Sequence, residues 1–185
     1  MAQELRNPDA SLRVLPHMFS LLAATGPDDS YRDQLMLYGQ FVGSWDLEAV
    51  FYEDGKFRRK TGGEWHFGWI LGGRGVQDVL FRAGAPRGEF GTAIRCYDPA
   101  EDVWHISWMQ PSGREFVHLI GRRRDEMIVQ EVTGLEPGRR ERWCFTNITP
   151  NSFHWFDEVS NDNGATWIVQ EEINARRRPT RAKVH

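Results

Sequence analysis

The side chains in this sequence that could do chemistry fall inside runs that read as strands. His66, His105 and His118 are candidates for an acid or base near neutral pH, where an unperturbed imidazole titrates. Asp78, Glu141 and Asp157 are carboxylates, and Arg95 a guanidinium, in runs whose neighbours are large and apolar. A charge on an apolar wall is expensive unless it is paired. An interior pairing of Arg95 with Asp78 or Glu141 is therefore either a handle on a ligand or a structural ion pair. Gln77 and Asp78 are adjacent in mid-strand, so one of the two faces inward. His66 alternates against a tryptophan face and is expected outward. His105 and His118 lie on neighbouring strands, without carboxylates in a ligand pattern beside them, and no metal site is expected.

Several chemistries have no support. There is no Gly-x-Ser-x-Gly elbow, phosphate loop, dinucleotide fingerprint or His-Glu-x-x-His. The run Gly72-Gly73-Arg74-Gly75 joins two strands and reads as a turn. No nucleophile and no cofactor are implied. Two cysteines, Cys96 and Cys144, make no disulfide framework and suit a reducing cytosol. A net charge of −3 gives no pull toward nucleic acid or an anionic membrane. The local basic cluster Arg176-Arg177-Arg178, Arg181 and Lys183 reads as a solvated tail. The apolar run from Val14 to Ala24 is too short to span a bilayer, and Glu4 and Asp9 are out of place in a signal peptide. A cytoplasmic protein without nucleic-acid or membrane partners is expected.

The elements that would position these groups begin at Gly43, where the hydrophobic period becomes two. Trp45, Leu47, Ala49 and Phe51 alternate with Asp46 and Glu48, giving one apolar and one wet face. Trp65, Phe67, Trp69 and Leu71 repeat the pattern after a Glu53-Asp54-Gly55-Lys56 hairpin turn. Further strand-like runs are Val76–Phe81, Phe90–Tyr97, Val103–Gln110, Glu115–Arg122, Met127–Val132, Glu141–Thr146, Phe153–Val159 and Thr166–Ala175. Turn chemistry separates them, including the loop Gly84 to Gly88. Strands at this spacing, with loops too short for crossover helices, predict an antiparallel up-and-down β-barrel of about 8–10 strands.

Residues 1–42 read differently, as a helical arm. Pro16 suits the first turn of a short helix carrying Phe19 and Leu22. After Gly26-Pro27, the spacing of Tyr31, Leu35, Tyr38 and Val42 makes an amphipathic stripe behind a cap at Asp28, Asp29 or Ser30. That stripe must pack on its own barrel or on a second subunit, so a homodimer through the arm is one expectation. The expected organisation is one domain: arm 1–42, barrel 43–178 and tail 179–185.

A helical lead-in followed by Gly43-Ser44-Trp45 at the start of a meander resembles the calycin superfamily. The runs Arg74–Val79, Arg95–Pro99, Arg142–Phe145, Ile148–Trp155 and Asn163–Trp167 are similar to bacterial lipocalin-like proteins of the domain-of-unknown-function type. The resemblance covers residues 40–178. It implies that Trp45 is structural, closing one barrel end against a basic side chain of a late strand, Arg176 or Arg177. It also implies a central cavity for a small, mostly apolar molecule, without fixing a chemistry.

If Trp45 points inward, the same phase brings in Leu47, Phe51, Trp65, Phe67, Trp69, Trp143, Phe145, Phe153 and Trp155. Eight tryptophans in all, each able to bury about 150–250 Å², either fill such a barrel or surround a cavity suited to a flat guest. Phe51, Trp65, Phe67, Trp69, Gln77, Trp108, His118, Trp143 and Trp155 are the candidate ligand-binding residues. The leading expectation is intracellular binding of a small apolar or aromatic molecule. The second is a cofactor-independent cyclase, isomerase or hydrolase in the same cavity, with Asp78, Arg95 or Glu141 polarising the substrate. The third is a haem-binding barrel with His105 or His118 as axial ligand.

Overall fold

The computed structural model describes residues 17–83 and 89–179. Ten antiparallel strands form one closed barrel: β1 (Gly43–Glu53), β2 (Lys56–Ile70), β3 (Gly75–Arg82), β4 (Glu89–Asp98), β5 (Val103–Gln110), β6 (Glu115–Arg124), β7 (Met127–Val132), β8 (Arg140–Thr146), β9 (Ser152–Ser160) and β10 (Ile168–Arg177). Each strand pairs with its neighbours in sequence, and β1 closes the ring on β10 in a register running from Trp45 opposite Arg177 to Phe51 opposite Glu171. Closure removes the free sheet edges that would otherwise recruit another chain. Pro16, the Gly84 to Gly88 loop, and Arg181 and Lys183 lie outside the described residues.

Alternation sorts the side chains as expected of a half-wetted strand. Along β1, Trp45, Leu47 and Ala49 are buried while Asp46 and Glu48 are exposed. The β1–β2 hairpin turns through Asp54 and Gly55, both at positive φ (51° and 71°), which matches the twist of the flanking strands. Bulges interrupt the ladder between Phe51 and Tyr52 and between Val169 and Glu171. Past the second bulge Glu171 still shares phase with the buried Ile173 and Ala175.

One end of the barrel is stopped by the chain that precedes β1. Residues 17–22 are helical, Ala23 bridges Ile70, and the Ala24 amide donates to the Trp69 carbonyl at 2.9 Å. Asp28 caps a short 3₁₀ turn (Asp29–Tyr31) by accepting from the Ser30 amide at 2.9 Å. The Arg32–Gly39 helix then drives Leu35 and Tyr38 into the barrel end, with Phe41 just beyond it, all fully buried. Phe41 packs against Phe145 and Phe153 at centroid distances of 4.7 and 4.9 Å, and Tyr38 meets Trp104 edge-on at 4.8 Å. The stripe of Tyr31, Leu35, Tyr38 and Val42 is thus received by the chain's own barrel. That motive for a dimer is met within one chain.

The clasp on this stopper is Arg177, the residue of the pair Arg176 and Arg177 that shares phase with Ile173 and Ala175. Its guanidinium lies 4.0 Å over the Trp45 ring. It donates to the carbonyls of Gln40 (2.7 Å), Val42 (2.8 Å) and Pro150 (2.6 Å). Carbonyls at a helix C-terminus lack intrahelical donors and sit at the negative end of the dipole, so a cation suits them. The Trp45 indole N–H donates to the Phe41 carbonyl at 2.8 Å, tying the same corner from inside.

Three charge-assisted hydrogen bonds and a ring contact depend on one side chain. Arg177→Ala is expected to lower unfolding stability by about 2–4 kcal/mol, whereas Arg176→Ala, at an exposed neighbour, changes it by less than about 0.5 kcal/mol. Urea denaturation of the two variants measures the difference.

Candidate functional site

Beyond the stopper, the lumen opens into a cavity of about 220 Å³. Its wall is made from inward positions of eight strands: Trp65, Leu80, Arg82, Arg95, Trp108, Glu115, Val117, Glu141, Trp143, Trp155, Asp157, Glu171 and Ile173. Four indoles dominate it. Trp65 meets Trp155 at 6.1 Å, Trp155 meets Trp143 at 5.8 Å, and Trp143 meets Trp108 at 5.9 Å, each pair close to perpendicular. Edge-to-face contacts are favourable for π systems, and such a chain leaves ring faces turned to different sides of the space. Trp108 lies over Gly91, where a Cβ would stand only 2.1 Å from the indole. Only a residue without a side chain lets the ring lie that close to the wall.

The floor is a buried ion pair. Arg95 hydrogen-bonds Asp78 through Nη1, and its Nε donates to Gln130 Oε1 at 3.4 Å. Asp78 Oδ1 also accepts the Ala93 amide at 3.1 Å. Arg95 stands 5.2 Å from the Tyr38 ring and 5.7 Å from the Phe67 ring, so it separates the aromatic stopper from the cavity. Asp78 is spent on this pair and on the backbone, and it does not line the cavity.

The rim is acidic. Trp108 Nε1 donates to Glu115 at 3.1 Å, and Trp143 Nε1 donates to Glu141 at 3.3 Å. Arg82 Nη2 contacts both oxygens of Glu171, at 2.8 and 2.9 Å. Burial pushes the Glu171 carboxyl up to about 7 against the pull of Arg82. Asp157 is pushed further, to about 8, first by burial and then by the charges of Glu141, Glu171, Glu115 and Glu158. Among the described residues its Oδ1 is covered and without a hydrogen-bond partner, and the same holds for Trp65 Nε1 and Arg82 Nε.

Of the residues singled out in the sequence, Trp65, Trp108, Trp143, Trp155, Arg95, Glu141 and Asp157 meet in this cavity. The others do not line it. Phe67 belongs to the stopper, packed on Phe41 and Phe153, and Trp69 lies against Gly39 at that same end. Phe51 sits at the opposite end of β1 under Arg59, 3.8 Å from its ring. Gln77 faces outward and donates to Thr92 Oγ1 at 3.0 Å, because Val76, Asp78 and Leu80 take the inner face. His118 is exposed and bonded to Ser107 at 3.1 Å, since the inner phase of β6 belongs to Val117 and Leu119. His105 is likewise exposed, between the buried Trp104 and Ile106. Neither histidine can ligate a haem inside the lumen. Among the described residues, Asp98, Glu101 and His105 bring possible metal-ligating atoms within 4.8 Å of one another. That group lies at the outer β4–β5 turn, where Asp98 already accepts the Ala100 amide at 2.8 Å.

Arg82, Glu115 and Glu171 were available to the alternation argument. Each lies two residues from an inward apolar position on its own strand: Leu80, Val117 and Ile173. Their charges masked them: Arg82 and Glu115 stand at strand ends, where a charge reads equally as a solvated turn, and Glu171 sits beside Glu172 in a pair that reads as a wet face.

No family model matches the chain, and no curated protein matches it. Solved structures do. Rv2717c from M. tuberculosis aligns over 80% of this chain and 98% of its own, at 12% identity and a TM-score of 0.55. The S-type phycobiliprotein lyase CPES from Guillardia theta aligns over 78% of this chain and 92% of its own, at 7% identity and a TM-score of 0.56. At such identities the likeness is one of fold. Among the described residues no helix is long and apolar enough to cross a membrane.

The Asp157 carboxyl predicts a pH dependence of folding. In the unfolded chain it titrates near 4, in the folded barrel near 8. Below the lower value both states hold the proton and no penalty arises. Between the two the unfolded state loses it first, so stability falls as pH rises through the window. Asp157→Asn imitates the protonated form. Its stability relative to wild type should therefore improve from pH 5 to pH 8, by about 1–3 kcal/mol, as read from denaturant midpoints. A difference independent of pH would contradict the assignment.

Proposed function

We propose that this protein binds a small, flat aromatic molecule in the indole-lined cavity. The observation that carries the reading is a barrel stopped at one end by its own chain, with about 220 Å³ left open among Trp65, Trp108, Trp143 and Trp155. Side chains that could fill the barrel fill only the stoppered half. Ligand pockets commonly measure roughly 300–1,000 Å³, so the guest is small, of one or two fused rings. Indole faces supply burial and stacking, while Arg95 below and the carboxylates at the rim supply orientation.

A second reading rests on Asp157. A carboxyl that keeps its proton near neutral pH, beside an aromatic cavity, is equipped to act as a general acid. In this reading Asp157 hands its proton to the bound molecule, and Arg95 polarises the opposite end. The earlier candidate Asp78 contributes only by holding Arg95. One barrel of this fold, CPES, is a phycobiliprotein lyase, so the fold is compatible with an enzyme.

Titration with 1-methylnaphthalene, followed by quenching of tryptophan fluorescence, is expected to saturate. Trp108→Ala and Trp143→Ala should each weaken binding about 5- to 30-fold, equivalent to about 1–2 kcal/mol. Phe116→Ala, on an exposed outer position, should leave it unchanged. Absence of saturable quenching in the wild type would refute the cavity as a binding site. Conversion of a guest extracted with the purified protein, lost in Asp157→Asn, would select the enzyme.

A further inference from the structure

We infer that the guest carries a positive charge: the cavity is built for an aromatic cation, such as a ring-nitrogen cation or an arylammonium, held between indole faces and the Asp157 carboxylate. This rests on the proposed binding function and specifies its ligand class.

The lining has four carboxylates, Glu115, Glu141, Asp157 and Glu171, against two guanidiniums, Arg82 and Arg95. Both guanidiniums are engaged, Arg82 by Glu171 and Arg95 by Asp78 behind the wall. Arg139 approaches Glu141 from the solvent side at 3.5 Å, and Arg59 acts on Glu171. Glu158, the outward neighbour of Asp157, is paired with Arg142 at 2.5 Å. On the strands flanking Asp157, then, Glu141 and Glu171 add negative charge toward it. A carboxyl with one oxygen covered and unpartnered, among like charges, is a costly arrangement. A cation in the cavity relieves it.

The indoles point to the same class. Cations are attracted to indole faces, most strongly where water is excluded. This protein uses that contact twice elsewhere, with Arg177 over Trp45 and Arg142 over Trp167, both at 4.0 Å. A further observation comes from Trp65, a residue of the cavity wall only 3% exposed, whose indole N–H has no acceptor among the described residues. Along β9, Asp157 is one inward position nearer the mouth than Trp155, the residue Trp65 touches. The guest thus has its positive nitrogen toward the rim and room for a hydrogen-bond acceptor at its inner end.

Binding such a guest draws the proton off Asp157, which near neutral pH is largely protonated in the empty cavity. Affinity for a permanently charged guest therefore rises as the solution becomes more basic, whereas affinity for a neutral one does not.

The test uses two probes of nearly equal shape, N-methylquinolinium and 1-methylnaphthalene, which differ in charge. Calorimetry or fluorescence quenching at pH 7.5 should show the cation binding about 10- to 100-fold more tightly. Its affinity should rise about 5- to 10-fold from pH 6 to pH 8.5, with that of 1-methylnaphthalene constant. Asp157→Asn should remove the pH dependence and most of the preference, with the affinity for the cation falling at least about 5-fold more than that for 1-methylnaphthalene. If the neutral probe binds as well as the cation, or the pH series is flat in wild type, the cation inference fails and the binding function stands. If neither probe binds, both fall.

Discussion

The closed end of this barrel is held by Arg177, which grips the chain just before β1. Its guanidinium joins the carbonyls behind the Arg32–Gly39 helix, the Pro150 turn and the Trp45 ring in one corner. With that corner tied, Tyr38 and Phe41 fill one end of the barrel. A closed ring of ten strands has no edge through which to open sideways. The remaining mouth is where the acidic residues lie. The resemblance to calycins implied such a basic partner for Trp45, and it is Arg177.

The barrel interior is divided by the Asp78–Arg95–Gln130 layer. Below it the packing is aromatic; above it the indoles line the cavity. A buried ion pair of this kind adds little net stability, because desolvation offsets the attraction. It does fix a boundary, since Arg95 cannot retreat among the rings of Tyr38 and Phe67 without leaving Asp78. Among the described residues Gln130 and Tyr38 each keep a covered polar atom without a partner, so the layer is polar by construction and incompletely satisfied.

Much of this was legible in the sequence because a strand sorts its side chains by parity. Alternation placed Trp65, Trp143 and Trp155 inward, put Glu141 and Asp157 in phase with them, and left His66 outside. It could not tell depth. Phe67 and Trp69 share the phase of Trp65, yet they lie one and two steps nearer the stopper and never meet the cavity. It also could not decide between Gln77 and Asp78 without knowing the phase of β3, which Val76 and Leu80 set through their burial. His118 drew notice for its chemistry, but its parity belongs to the outer face. The acid cluster at the rim assembles residues from β6, β8, β9 and β10, and nothing local in any one strand announces the other three.

The recess at Gly91 has a consequence of its own. The bore of the cavity is set by where the Trp108 plane comes to rest, and that plane rests on bare backbone. The gauge of the container is thus written at a position with no side chain to touch its contents. A change in the wall behind the ring would widen or narrow the space, with every residue that lines it left as it is.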